Sequence, residues 1–517
     1  MKKRFFSFLF ITFLSLSCHP NQTNNYPLDP DVTNVNGSVF YEIFVGSFCD
    51  SNHDGVGDLR GIASKLDYLE DLGIKGLWLT PIHPSDTYHK YDVKDYLAIE
   101  KEFGTLDDFD YLISEANKRH IDIILDLVIN HSSSNHEWFK DAEKDKRDNV
   151  LDPTSKRFYY NWSDTQQKGY RYSNVAQSYY EGQFDTSMPD LNLDNEYVIN
   201  EIENIINFWL NRGVKGFRLD AVTSFFSGKS SKNIAFLTYL NDYIKSQKED
   251  AFIIGEAWEE MTNVLYNYAS SGMHFFNFPM AEVNPKSVGL SVIQQTGNNF
   301  ARALVASEVA LKERSTTSKN ALILSNHDMD RSGGYLKDEK AKIAASAYLL
   351  TPGYPFMYYG EEIGLKGSRG GANTDANRRL PMIWLEKDTS EQTNNPPGTT
   401  YDFSLQVSKG AFDLLNVPNS LLNHYKKVIN LRNKYPIFHD GLYYHYQLHD
   451  NIHLAMFKIE KDEDIIYLIH NFSDHQIEAN INMSNLEIID EIKTMQKPAS
   501  LNQDLLTLEA YSSVILK

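Results

Sequence analysis

The chain has 517 residues, with 50 lysines and arginines against 69 aspartates and glutamates, and a formal charge of −19. So acidic a surface repels phosphates, which excludes a nucleic-acid groove or a binder of anionic membranes. An apolar share of 42% supplies a large core, the 28 glycines and 17 prolines exclude collagen-like and low-complexity chains, and two cysteines exclude a cross-linked miniprotein.

The chain opens on Met1-Lys2-Lys3-Arg4 and the apolar run 5–14. A basic stretch before an apolar run too short to span a membrane well is the pattern of an export signal, here residues 1–17. Ser15-Leu16-Ser17-Cys18 resembles a bacterial lipobox, with serine where leucine is usual, so Cys18 is expected to carry a lipid; the alternative is an ordinary signal peptide with a chance cysteine. Residues 18–36, rich in Asn, Pro, Thr and Asp, read as a flexible tether. The expected address is a bacterial membrane, facing the periplasm or the cell surface, with the lipid as the only membrane contact. Cys49 then has no partner and is expected to be a buried structural thiol.

Next comes Asp50-Ser51-Asn52-His53-Asp54-Gly55-Val56-Gly57-Asp58. Oxygen donors at alternate positions, with glycine where the turn is tight, suit a hard cation and echo the start of an EF-hand loop. The plainer reading is an Asx-rich turn between the first strand and its helix.

From about residue 38, strands are expected at 39–47, 76–81, 121–129, 216–221, 252–256, 274–278, 321–325 and 355–359. Helical patterns lie between them. In 105–120, Phe109, Leu112, Ile113 and Ala116 stand at i, i+3, i+4 and i+7 and form one apolar stripe; 197–210, 234–244 and 341–350 are similar. Eight strands alternating with helices imply an α/β fold with a parallel sheet, and the count suggests a (β/α)8 TIM barrel built from residues 37–131 and 191–435. Residues 132–190 interrupt it with an irregular, aromatic-rich stretch, expected to be a small inserted domain after strand 3 because structureless loops of that length are uncommon. Residues 436–517, with alternating runs at 452–459 and 464–471, are expected to form a C-terminal antiparallel β domain.

Acids recur where such a barrel builds its chemistry, at the carboxyl ends of strands: Asp126, Asp220, Glu256 and Asp328. One acid there is usually a helix cap or a solvated loop residue. Several at successive strand ends, two beside histidines and one two residues after Arg218, form the set that glycoside hydrolysis needs: one carboxylate at the anomeric carbon and one protonated carboxyl at the leaving oxygen. Arg218 alternates with Leu219 and so shares a face with Asp220, placed to keep it ionised.

These motifs resemble the α-amylase family of glycoside hydrolases, retaining enzymes on a (β/α)8 barrel, from about residue 39 to the carboxyl terminus. Residues 126–131 match D-x-x-x-N-H, 216–221 match G-F-R-x-D-A, Glu256 matches the fifth-strand acid, and Asn326-His327-Asp328 matches N-H-D; Gly76-Leu77-Trp78-Leu79-Thr80-Pro81 resembles the second-strand motif. The resemblance implies Asp220 as nucleophile, Glu256 as general acid/base, and Asp328 as the third carboxylate that helps distort the sugar ring. It places Arg218, His131 and His327 around the glucose being cleaved, Tyr91 stacked on it, and Asp375 and Arg379, ahead of Pro381-Met382, at the next subsite. The mechanism it implies is double displacement through a covalent β-glucosyl intermediate, with the Asp220 and Glu256 carboxyls roughly 5–5.5 Å apart. The 50–58 loop resembles the D-x-N-x-D-G-x-G-D calcium loop of oligo-1,6-glucosidase-like members. That implies a structural Ca2+ on the side chains of Asp50, Asn52, Asp54 and Asp58 and the Val56 carbonyl. Thr223-Ser224 stand where many α-amylases have Lys-His, a departure from their second calcium site.

Met188-Pro189-Asp190-Leu191-Asn192 resembles the fifth region of members intermediate between oligo-1,6-glucosidases and neopullulanases, many of them α-amylases; Val222 is compatible with α-1,4 specificity. The implied activity is endo-hydrolysis of α-1,4 bonds in starch-type glucans and maltooligosaccharides, with side activity on pullulan or cyclodextrins. An α-glucosidase or oligo-1,6-glucosidase, a neopullulanase- or cyclomaltodextrinase-like enzyme and a transglycosylase would share every catalytic residue. A non-catalytic glucan-binding surface lipoprotein need not keep the three acids, and all three are present.

Overall fold

Apolar runs flanked by helical segments can bury both faces only in a parallel sheet covered on both sides. In the computed structural model, which describes residues 38–370, 374–446, 451–483, 485–494 and 497–517, eight of them do so. They are β1 (Phe40–Ile43), β2 (Gly76–Leu79), β3 (Asp122–Leu127), β4 (Gly216–Leu219), β5 (Phe252–Gly255), β6 (His274–Phe276), β7 (Asn320–Ala321) and β8 (Phe356–Tyr358). Their neighbours run β7-β6-β5-β4-β3-β2-β1-β8, every paired ladder parallel. The ring is completed by two hydrogen bonds, from the Tyr354 N–H to the Asn320 carbonyl (2.8 Å) and from the Phe356 N–H to the Leu322 carbonyl (2.9 Å). This is the (β/α)8 barrel expected from the strand count.

Each strand starts where the sequence predicts to within two residues but is shorter. The 39–47 run, for instance, stops at Ile43, and Val45–Ser47 form a 3-10 turn. Val45 and Phe48 remain fully buried in that turn, so apolar patterning runs past the last ladder bond. Inside the barrel, Phe40 lies between Phe252 and Phe356, ring centroids 4.5 and 4.7 Å away, with Trp78, Ile124, Ile254 and Phe276 completing a separate inner core. Outside it, the stripe predicted for 105–120 is buried on helix Leu106–Lys118, whose first turn is closed by a capping box between Thr105 and Asp108. A Cβ on Gly216 would stand 1.8 Å from the Phe252 carbonyl oxygen, so only glycine lets β4 lie this close to β5 and bring their carboxyl ends together.

Between β3 and β4 the chain leaves the barrel. It forms helix Glu137–Arg147 and an antiparallel sheet in which Ser178–Glu181 lies between Trp162–Ser163 and Tyr170–Ser173. Phe139 gathers the rings of Tyr160, Trp162 and Tyr180 at 4.9 to 5.9 Å, so many of the aromatics of this segment pack against one another. After the barrel come a five-stranded antiparallel sheet (Leu442–His445, Leu454–Lys461, Asp464–Asn471, Ser513–Leu516, Ile488–Ile492) and a three-stranded one (Ile477–Asn480, Leu505–Leu508, Ser500–Asn502). Phe300 of barrel helix Gly297–Lys312 reaches Phe457 and Phe472 of this region, at 6.1 and 5.9 Å. The predicted signal, Cys18 and the tether lie outside the described residues. Cys49 is unpaired and fully buried, and burial pushes its thiol up to about 11.

Candidate active site

The carboxyl ends of β1 to β5, together with the segment that follows β7, bring the predicted acids to one place, around a single guanidinium. Arg218, on β4, is completely buried. Its Nη1 donates to Asp126 Oδ1 on β3 (2.7 Å) and to Asp220 Oδ1 (2.8 Å). Nη2 lies 2.7 Å from Glu256 Oε1, an ion-pair contact without the alignment of a hydrogen bond. Burial alone would discharge this arginine; the surrounding carboxylates reverse that and hold it well above its ordinary value. Burial pushes Asp126 up to about 6 and Glu256 up to about 8, Arg218 tempering both. Glu256 Oε2 accepts the backbone N–H of Ala221 (3.0 Å), which reaches it because Ala221 adopts the left-handed φ of 46°.

A second charge cluster faces the first. The Tyr91 hydroxyl lies 2.9 Å from Asp126 Oδ2 and 2.7 Å from His327 Nε2, and its ring is stacked on the imidazole at 5.4 Å. His327 Nδ1 is 2.6 Å from Glu42 Oε1, and Nε2 is 3.1 Å from Asp328 Oδ2. Burial opposes the charge on His327, but the carboxylates of Asp328 and Glu42 overcome it and raise the ring to about 10. Asp328 behaves conversely: burial works against its ionisation, while His327 and Arg379 hold it well below the usual carboxylate range. Arg379 grips Asp328 Oδ1 through Nη2 (2.6 Å), the His327 carbonyl through Nε (3.0 Å) and the Tyr88 hydroxyl through Nη1 (3.0 Å).

Tyr91 is carried by the loop after β2, which Asp92 folds by accepting hydrogen bonds from Ser85 and Thr87, while buried Lys90 pairs with Glu100 at 3.1 Å. His131 is buried, its Nε2 3.2 Å from the Tyr91 carbonyl and its ring 5.4 Å from that of half-exposed Phe184; burial lowers its pKa. The Asp375 carboxylate pairs with Arg378 (3.0 Å) and Arg369 (3.2 Å).

In the 50–58 loop the acids serve backbone and hydroxyl donors. Asp50 accepts from the N–H groups of Asn52, His53 and Gly55, and Asp58 from the Ser51 N–H and hydroxyl and the Gly61 N–H. Asn52 and Asp54 accept from the N–H groups of Asp54 and Val56, while the Val56 carbonyl accepts none among the described residues. No three His, Cys, Asp or Glu side chains among the described residues are spaced to hold a metal ion. The donor set remains all oxygen, as Ca2+ requires.

Of the candidate site residues, Asp220, Glu256, Asp328, Arg218, Tyr91, His327 and Arg379 converge on this constellation. Sequence reasoning missed Glu42, Trp78 (whose indole N–H lies 3.3 Å from Asp126) and Tyr88 as parts of it. The available signal for Glu42 was a lone acid inside the apolar strand Phe40–Ile43.

Two carboxyls on one buried arginine, that of Glu256 pushed up to about 8 by burial, at the mouth of a (β/α)8 barrel, suit a glycosidic bond. Residues 42–441 match the family described as alpha amylase, catalytic domain. The chain belongs to the α-amylase family. This family member is 36% identical to the protein named Alpha-amylase 3 of Dictyoglomus thermophilum, over 93% of both chains. It is 30% identical to the Oligo-1,6-glucosidase of Heyndrickxia coagulans, over 85% of this chain and 92% of that one. Among solved structures, Eubacterium rectale Amy13B superposes with a TM-score of 0.87 at 36% identity, covering 93% of this chain and 95% of that chain. The α-amylase of H. orenii superposes with 0.80 at 31% identity, covering 93% of this chain and 99% of that chain. As a member of the family, the protein is a glycoside hydrolase.

Proposed function

We propose that this hydrolase cleaves internal α-1,4-glucosidic bonds of starch-type glucans and maltooligosaccharides with retention of configuration. The observation that carries the reading is the grip of Arg218 on Asp220 through Nη1 and on Glu256 through Nη2, which brings two carboxyls within reach of one sugar bond. Asp220, paired with the guanidinium, attacks the anomeric carbon. Glu256, pushed up to about 8, still carries its proton at neutral pH and gives it to the leaving oxygen; deprotonated, it then activates the water that releases the sugar. Activity therefore falls as pH rises through about 8, where Glu256 loses the proton it must donate. Asp328, with Arg379 and His327 behind it, binds ring hydroxyls; Tyr91 and His131 line the same sugar, and Asp375 the next.

The relative named an α-amylase supports this reading, whereas the relative named an oligo-1,6-glucosidase supports an exo-acting alternative. Product profiles on starch, pullulan, isomaltose and p-nitrophenyl α-glucoside separate the two. Rapid loss of starch viscosity with maltooligosaccharide products is the expected result. Glucose released from the first time point overturns it.

The same reading includes a structural Ca2+ on Asp50, Asn52, Asp54, Asp58 and the Val56 carbonyl, which would tie β1 to its helix without entering the reaction. Chelation should lower the melting temperature and added Ca2+ restore it, and Asp50→Ala should abolish the response. An exported lipoprotein carrying its lipid on Cys18 completes the proposal.

A further inference from the structure

The imidazole of His327 is completely enclosed, and acceptor oxygens face both of its nitrogens. Nδ1 faces Glu42 Oε1 at 2.6 Å, a carboxylate oxygen that can only accept, so Nδ1 carries a proton. Nε2 faces Asp328 Oδ2 at 3.1 Å and the Tyr91 oxygen at 2.7 Å. Tyr91 has one proton and two acceptor candidates, Asp126 Oδ2 at 2.9 Å and Nε2. Given to the carboxylate, that proton leaves the phenol oxygen as an acceptor and Nε2 as the donor to both Tyr91 and Asp328. Every group then has a partner: Nδ1–H to Glu42, Nε2–H to Tyr91 and Asp328, and the Tyr91 O–H to Asp126. A neutral ring would leave Nε2 as a bare lone pair beside the Asp328 carboxylate, without a donor once Tyr91 has turned to Asp126.

We propose that Glu42, buried on β1 and outside direct reach of the sugar, is a positioning residue that keeps His327 a permanent imidazolium, and that this fixed cation holds Asp328 ionised and aims the Tyr91 ring. The inference rests on the glycosidase reading above for the roles of Asp328 and Tyr91. Glu42 and His327 are 1% and 0% exposed, so no solvent screens the pair. The His327 backbone N–H also points at Glu42 Oε1 (3.3 Å), which fixes the carboxylate under the ring. The other charged or titratable groups around the pair are Asp126 on β3, Arg218 on β4, Arg379 at the His327 carbonyl, and Tyr358, which stands opposite Glu42 in the ladder of β1 and β8. Asp328 and Glu42 together outweigh the burial of the ring, so the loss of Glu42 leaves Asp328 alone to oppose it.

Glu42→Gln tests this through the pH profile. The wild-type enzyme should lose activity at high pH only through Glu256, because His327 stays charged up to about 10. In Glu42→Gln the ring loses one flanking carboxylate, and its pKa should drop by more than two units, from about 10 to below the value of about 8 at Glu256, so that the alkaline limb of kcat/KM moves to lower pH. A limb that stays in place while activity drops evenly at all pH values overturns the proposal. A measurement on the unaltered enzyme guards against a variant that does not fold: 15N-histidine NMR, with His327 assigned by loss of its signals in His327→Gln. Both His327 nitrogens should show the shifts of a protonated ring throughout the active pH range. A neutral tautomer in that range overturns the proposal whatever the variant does, and a protonated His327 with retained starch hydrolysis keeps it distinct from any failure of the α-1,4 reading.

Discussion

Two groups of buried acids lie near the barrel mouth, and they are stabilised in opposite ways. Asp126, Asp220 and Glu256 share the cation Arg218. Glu361 and Glu362, in the 3-10 turn Glu361–Ile363 after β8, are held by phenols. Glu362 Oε1 accepts from Tyr41 and Tyr68 at 2.7 Å each, and Glu361 Oε1 from Tyr348 at 2.6 Å and Tyr425 at 2.9 Å. Burial pushes Glu361 up to about 8, the same value as Glu256. A displaced pKa therefore does not by itself mark the chemistry. What separates the groups is company and access: the Glu256 side chain faces the Asp220 carboxyl across a shared guanidinium and leads toward Asp328, which is 33% exposed, whereas Glu361 and Glu362 are sealed among tyrosines.

Substitutions can sharpen this contrast. The largest expected effect is that of Glu256→Gln, which removes the proton donor and should lower kcat/KM about a thousandfold while sparing binding of maltooligosaccharide. Unchanged turnover would mean the acid lies elsewhere. Arg218→Met comes next, because it strands three buried carboxylates. Kinetics should show about a hundredfold loss, and denaturant unfolding a destabilisation of about 3–5 kcal/mol, as expected when one partner of a buried ion pair is removed.

Glu361→Gln should do the reverse, leaving kcat/KM within about twofold and changing the pH dependence of stability. The folded pKa of Glu361 is raised from 4.5 to about 8, so its contribution is complete below the unfolded pKa and is lost as pH climbs through about 8. Glutamine mimics the protonated form. The variant's melting temperature should thus fall less between pH 4.5 and 8 than the wild type's, and parallel curves would show that Glu361 does not titrate in that window.

The barrel was legible in the sequence because both faces of each strand are buried and the runs between them carry the helical period. Strand ends were not, since Val45 and Phe48 stay buried after the ladder has ended. The site was legible as far as residues follow one another in a motif: Arg218 and Asp220 are two apart on one strand. Glu42 was not, because its partner His327 is 285 residues away and only ring closure brings β1 to the segment after β7. Nor was the pairing of Asp375 with Arg378 and Arg369 legible, since it depends on how the turn around them folds.

One peptide plane deserves a final consequence. The N–H of Ala221 belongs to the amide that follows Asp220, and it ends on Glu256 Oε2. The Glu256 carboxyl is thus tied to the backbone that carries Asp220, not merely brought near it. The left-handed turn at Ala221, which costs on the order of 1 kcal/mol, acts as a spacer bar between the chain that carries Asp220 and the side chain of Glu256.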